Sequence, residues 1–183
     1  MKNRYRNDYE LSEQADSKGR FHTSVTYKGA AFYFRAGPEC ISARKKILPA
    51  FGVAAWAVWI GGMVPSSGAM HFLPAALLYV FCALAMASFS GCCFAFRGMN
   101  EPLQNRHADR MNNRYPPSAL ALAVLSGGAF VLGLVGDIIM HAFVSGDVVF
   151  FAASAALCGI GGWSFHIRRD LEIYSKKSGK TLI

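Results

Sequence analysis

Apolar residues gather into four long runs, at about residues 47–64, 72–96, 118–143 and 148–167, each bounded by charged or turn-forming residues. At about 1.5 Å of rise per residue, roughly 20 residues cross a hydrocarbon layer about 30 Å thick, so each run predicts a transmembrane helix. The third, SALALAVLSGGAFVLGLVGDIIMHAF, carries no charge before Asp137. Short turns, Pro65 to Gly68 and Val144 to Asp147, join the first run to the second and the third to the fourth, so both pairs are antiparallel neighbours. Pro49 and Pro74 fall near the starts of their spans, where proline is tolerated, and Arg97 and Arg168-Arg169 close the second and fourth spans.

Ahead of the first run the period changes. Phe21, Thr23, Val25 and Tyr27 alternate with His22, Ser24 and Thr26, which predicts a half-buried strand. Asp16 to Gly19 form a turn before it and Lys28-Gly29 a tight turn after it, so Ala31 to Arg35 is expected to pair back as the second strand of a hairpin. The expected fold is all-α: a four-helix transmembrane bundle over residues 47–167, with a small N-terminal cytoplasmic β-hairpin within residues 1–46 and a basic tail from 168 to 183.

The loop at 97–117 has a pattern of its own. Asn100 stands as a helix cap before Glu101 and Pro102, and Arg106, Arg110 and Arg114 then recur on one face beside Leu103, His107 and Met111. That spacing predicts either a short amphipathic helix lying on anionic headgroups or a solvated basic loop.

Composition changes the picture only through its distribution. A mean hydropathy of +0.26 with 16% charged residues would fit a soluble domain. Residues 1 to 46, however, hold 10 of the 19 Lys and Arg, and the two short turns hold none. In a soluble protein a net charge of +8 would suggest nucleic acid; here it follows from basic cytoplasmic flanks, so the expected partner is a lipid bilayer with anionic headgroups and not nucleic acid. The same bias puts both termini in the cytoplasm, and the membrane expected is a plasma membrane. The polar N-terminus lacks the apolar core of a cleaved signal peptide, and the first span is expected to direct its own insertion. None of the five cysteines falls in an outer turn, so no disulfide framework is expected.

Helices in lipid associate through small residues at four-residue spacing. Every span supplies such pairs, Ala129 with Gly133 in the third and Ala152 with Ala156 in the fourth, and the glycines of the third, Gly127, Gly128, Gly133 and Gly136, predict a central position.

The chemistry that remains is sparse. The sequence has no C-x-x-C, no phosphate loop, no Glu within a span and no nucleophile-base constellation, so no catalytic residue and no cofactor are expected. The vicinal Cys92-Cys93 are open to three readings: small packing residues, acylation targets or soft metal ligands. At the outer level, His71, Asp137, His141 and Asp147 form the candidate ion or proton site, suited to Zn²⁺ or another first-row ion or to a proton relay. Asp147 also stands where it would cap the fourth helix. The resulting expectation is a structural or interaction subunit of a membrane assembly, with a membrane-protein partner or a second copy of itself; the alternative is a small transporter or ion-binding protein using the outer Asp/His group.

Overall fold

The computed structural model describes residues 9–15, 21–63, 67–141 and 143–175. The chain is mostly helical. Its elements run β1 (Tyr9–Ala15), β2 (Phe21–Tyr27), β3 (Phe32–Phe34), α1 (Pro38–Gly62), α2 (Gly68–His71), α3 (Leu73–Arg97), α4 (Asn105–Asp109), a π-helical turn (Arg110–Arg114), α5 (Tyr115–Met140), α6 (Ser145–His166), a 3₁₀ turn (Ile167–Leu171) and β4 (Ile173–Ser175). The turn read at 16–19, the residues Pro65 and Ser66 and the tail beyond Ser175 lie outside the described residues.

Three helical stretches, Leu73–Arg97, Asn105–Met140 and Ser145–Leu171, are long and apolar enough to cross a membrane by length and composition. Helix α1 is not among them; it starts at Pro38 rather than near Ile47, and its first half carries Glu39, Arg44, Lys45 and Lys46. Gly37-Pro38 is the start signal: proline occupies the first helical turn, where a missing amide costs nothing. Pro49 consequently sits inside α1, buried, and not in a first turn as the apolar run suggested. There it cannot donate to the carbonyl one turn back.

Contacts between the long helices close a ring: α1 packs on α3 and α6, and α5 packs on α3 and α6 across from it. Tyr79, Phe89, Phe96, Tyr115, Phe150 and Leu122 fill the interior and are wholly buried. Helix α5 makes the two most extensive contacts, yet in a ring no helix is central. Polar clasps tie the pairs. Between α1 and α3, Trp59 Nε1 donates to the carbonyl of Tyr79 at 2.9 Å while Tyr79 Oη donates to the carbonyl of Trp59 at 2.9 Å. Between α5 and α6, Tyr115 Oη donates to the carbonyl of Ser164 at 3.0 Å.

The strands pair differently from the alternation's suggestion. β2 runs antiparallel to β1, with Leu11 opposite Val25 and Ala15 opposite Phe21. β3 pairs with β4 at the far end of the described chain, Phe34 opposite Ile173, so the hairpin of residues 20–27 with 31–35 does not form. The reason lies in the link. The Tyr27 ring folds over Gly29, filling the space a Cβ there would need. Its hydroxyl donates to the carbonyl of Ala30 and accepts from the amide of Asn105 at 2.8 Å. β3 is thereby turned toward the helix ends, where Phe32 also bridges Leu103, Arg35 pairs with Glu172 at 3.0 Å and Arg44 with Asp170 at 2.7 Å.

Candidate functional site

At one end of the ring, the first turn of α6 and the short helix α2 meet over Asp147. Asp147 is the third residue of α6, and its Oδ2 accepts the amide of Val144 at 2.7 Å, the acidic half of a capping box. Its Oδ1 accepts from the Ser67 hydroxyl at 2.7 Å and the Ala69 amide at 3.1 Å. The carboxylate thus reaches past its own helix to hold the start of α2, instead of capping the free amides of α6. With 1% of its surface exposed, it is buried and satisfied by structural donors.

Asp137, one turn from the end of α5, is equally buried near Asp147, and its Oδ2 has no hydrogen-bond partner among the described residues. The two histidines do not join them. His71 closes α2 and is exposed; His141 takes a left-handed conformation (φ 49°) that ends α5 and turns its side chain outward, also exposed. Spacing of four puts residues 137 and 141 on one face only while the helix continues, and it stops between them. The expected convergence of all four residues is therefore absent, and no group of three or more His, Cys, Asp or Glu suited to a metal occurs among the described residues. Ser67 is the member that sequence reasoning missed, since a lone serine in a short polar turn carries no signal.

The packing residues divide in the same way. Ala129 is wholly buried. A Cβ at Gly128 would meet Leu78, at Gly133 Phe150 and Phe151, and at Gly136 Phe72, so these glycines sit at helix contacts. Ala152 and Ala156 are exposed, a correction to their expected role. The contact face of α6 is one residue round, through Ala153, Leu157 and Gly161; four-residue spacing fixes a face but not which way it points. Gly161 lies directly on the α5 backbone: a Cβ there would lie 2.7 Å from the amide nitrogen of Ala123 and 2.8 Å from the carbonyl oxygen of Ala119. Cys92 and Cys93 are free and buried; a methyl on Gly52 would lie 3.6 Å from the Cys93 Cβ, so Cys93 packs beside α1 as a small apolar residue.

At the other end, α4 begins at Asn105, not at Asn100, and runs through the π turn directly into α5, so the basic stretch is the root of a long helix and not a separate one. Asn100 instead accepts from Lys45 Nζ at 3.2 Å. Met111 turns inward and Arg106 and Arg114 outward, the division expected of an amphipathic helix, while Leu103, ahead of the helix, is buried. His107 is half-buried; burial, then the guanidiniums of Arg110 and Arg106, hold it below the ordinary imidazole value of 6.5, so it is neutral at pH 7. Arg106, Asp109, Arg110 and Arg114 line a concavity of about 90 Å³. No family model, no curated protein and no solved structure matches this chain.

Proposed function

We propose that the chain is a multi-pass integral protein of the plasma membrane, with four spans forming a bundle and both termini in the cytoplasm, and that it serves as a structural or interaction subunit of a membrane assembly. The observation that carries this reading is the outward face of the long helices. Val53 and Ile60 on α1, Leu84 on α3, Val124 and Ile138 on α5 and Val148 on α6 are each more than half exposed. So much apolar surface on every long helix suits lipid or a protein partner and not water. For α1 the span would begin at Ile47, beyond its basic turn, with Lys45 and Lys46 at headgroup level.

Orientation rests on charge. Residues 63–71 and 141–147 carry no Lys or Arg, whereas Arg44 to Lys46, Arg97, Arg114 and Arg168-Arg169 mark the opposite helix ends, which the positive-inside bias assigns to the cytoplasm. A structural role is favoured over transport because the Asp147 carboxylate is consumed by Ser67, Ala69 and Val144, and the interior is filled by large side chains. One observation favours the second reading, a small transporter or ion-binding protein: the buried, unpartnered Oδ2 of Asp137.

Alkaline-carbonate extraction tests membrane integration: the chain stays in the pellet if it spans, and its release would refute the proposal. Proton or cation flux in proteoliposomes separates the two roles. No flux above empty vesicles supports the subunit reading; flux abolished by Asp137→Asn would establish the second.

A further inference from the structure

Arg106, Arg110 and Arg114 surround a concavity at the root of α5. Among the described residues, none of the guanidiniums of Arg106, Arg110 and Arg114 makes a hydrogen bond or an ion pair, in contrast to Arg35 and Arg44 at the same end of the molecule. Asp109, the remaining lining residue, accepts from Asn113 Nδ2 at 2.6 Å. Asp109 offsets one of the three positive charges around the hollow, and the excess that remains attracts a further anion.

Their convergence has a local cause. In an α-helix each fourth residue advances by about 40°, so a row spaced by four drifts round the helix. Arg106 and Arg110 are joined by α-helical backbone and Arg110 and Arg114 by the π turn, whose wider winding takes that drift back. All three side chains therefore border the same hollow. Arg114 directly precedes the first residue of α5, which sets the hollow at the level where the apolar part of that helix begins.

We propose that Arg106, Arg110 and Arg114 form a binding site for a phosphate group, supplied by the headgroup of an anionic phospholipid in the cytoplasmic leaflet. The guanidinium fork matches phosphate oxygens two at a time, and three forks around a hollow of this size suit one compact polyanionic group better than the dispersed charge of a nucleic acid. The lipid source rests on the membrane reading above; the phosphate chemistry does not.

The test uses the full chain in neutral detergent and native mass spectrometry with three probes: dioctanoyl phosphatidic acid, dioctanoyl phosphatidylcholine and inorganic phosphate. Phosphatidic acid is expected to bind at least tenfold more tightly than phosphatidylcholine. Arg110→Ala should cost about tenfold and Arg110→Lys should restore only part, while Arg168→Ala, at the same end but outside the hollow, should change affinity less than twofold. Equal losses for Arg110→Ala and Arg168→Ala would overturn the site in favour of diffuse basic charge, as would equal binding of the two lipids. Inorganic phosphate bound as tightly as phosphatidic acid, and lost in Arg110→Ala, would support the phosphate site and overturn the lipid source. Should Arg110→Ala fail to fold, Arg106→Gln carries the same expectation. A chain retained by carbonate-washed membranes but blind to all three probes would overturn the site alone and leave the membrane reading standing.

Discussion

Replacing Gly161 by alanine adds one methyl group where α6 lies directly against the backbone of α5. The new Cβ would sit on the α5 hydrogen bond between the Ala119 carbonyl and the Ala123 amide, at 2.8 Å and 2.7 Å from its two ends and 3.1 Å from the Ala123 Cα. These are backbone atoms, and no rotamer change removes them. The helices must part by several tenths of an ångström, which loosens the packing around Leu122 and Leu157, both wholly buried, and stretches the Tyr115–Ser164 hydrogen bond one turn along. Overpacking of this kind costs about 1–3 kcal/mol, and the better helix propensity of alanine returns at most about 1 kcal/mol, leaving a net loss of about 1–2 kcal/mol. Gly162 is the internal control: a Cβ there meets nothing within 4 Å, so Gly162→Ala should be neutral or slightly stabilising. Reversible unfolding of the purified chain, followed by circular dichroism in mixed micelles of increasing denaturing-detergent fraction, reads the difference. Equal stability of the two variants would refute the assigned crossing of α5 and α6.

Two further perturbations follow from single contacts. Asp147→Ala strands the Ser67 hydroxyl and the amides of Ala69 and Val144, and should destabilise by about 3–5 kcal/mol, against about 1 kcal/mol for Ser67→Ala, which removes one donor; similar losses in the same unfolding assay would show that the carboxylate does not organise that end. Trp59→Phe and Tyr79→Phe each remove one of two reciprocal hydrogen bonds between α1 and α3, so each should cost about 1 kcal/mol and the double variant should depart from additivity by at least 0.5 kcal/mol; strict additivity would contradict the clasp.

The parts of the fold legible in the sequence are those set by long apolar runs. Helices α3, α5 and α6 lie over the second, third and fourth runs because a continuous apolar stretch has only one way to satisfy its backbone away from water. The start of α1 was hidden because Arg44 to Lys46 reads as a boundary, although the cap signal, Gly37-Pro38, stands earlier. Local alternation identified β2 and β3 but not their partners: β3 joins a strand about 140 residues later in the chain, a pairing that no local pattern encodes. At the end where α2 meets α6, proximity of level along neighbouring helices suggests that four ionisable groups meet, but level fixes height and not azimuth. Asp137 and Asp147 face each other; His71 and His141 do not join them, because each ends its helix. The arginine row was visible as a spacing, whereas its curling around one hollow depends on a π turn that helical periodicity does not announce.

The central claim, four spans with the basic ends in the cytoplasm, is tested most directly by thiol labelling of intact cells. Single cysteines are placed in a cysteine-free chain at Ser145, exposed at the turn between α5 and α6, and at Asn100, exposed between α3 and α4. A membrane-impermeant maleimide should label Ser145→Cys in intact cells and Asn100→Cys only after the membrane is opened. Labelling of Asn100→Cys from outside, or of both positions equally in a chain recovered from the soluble fraction, would contradict the account.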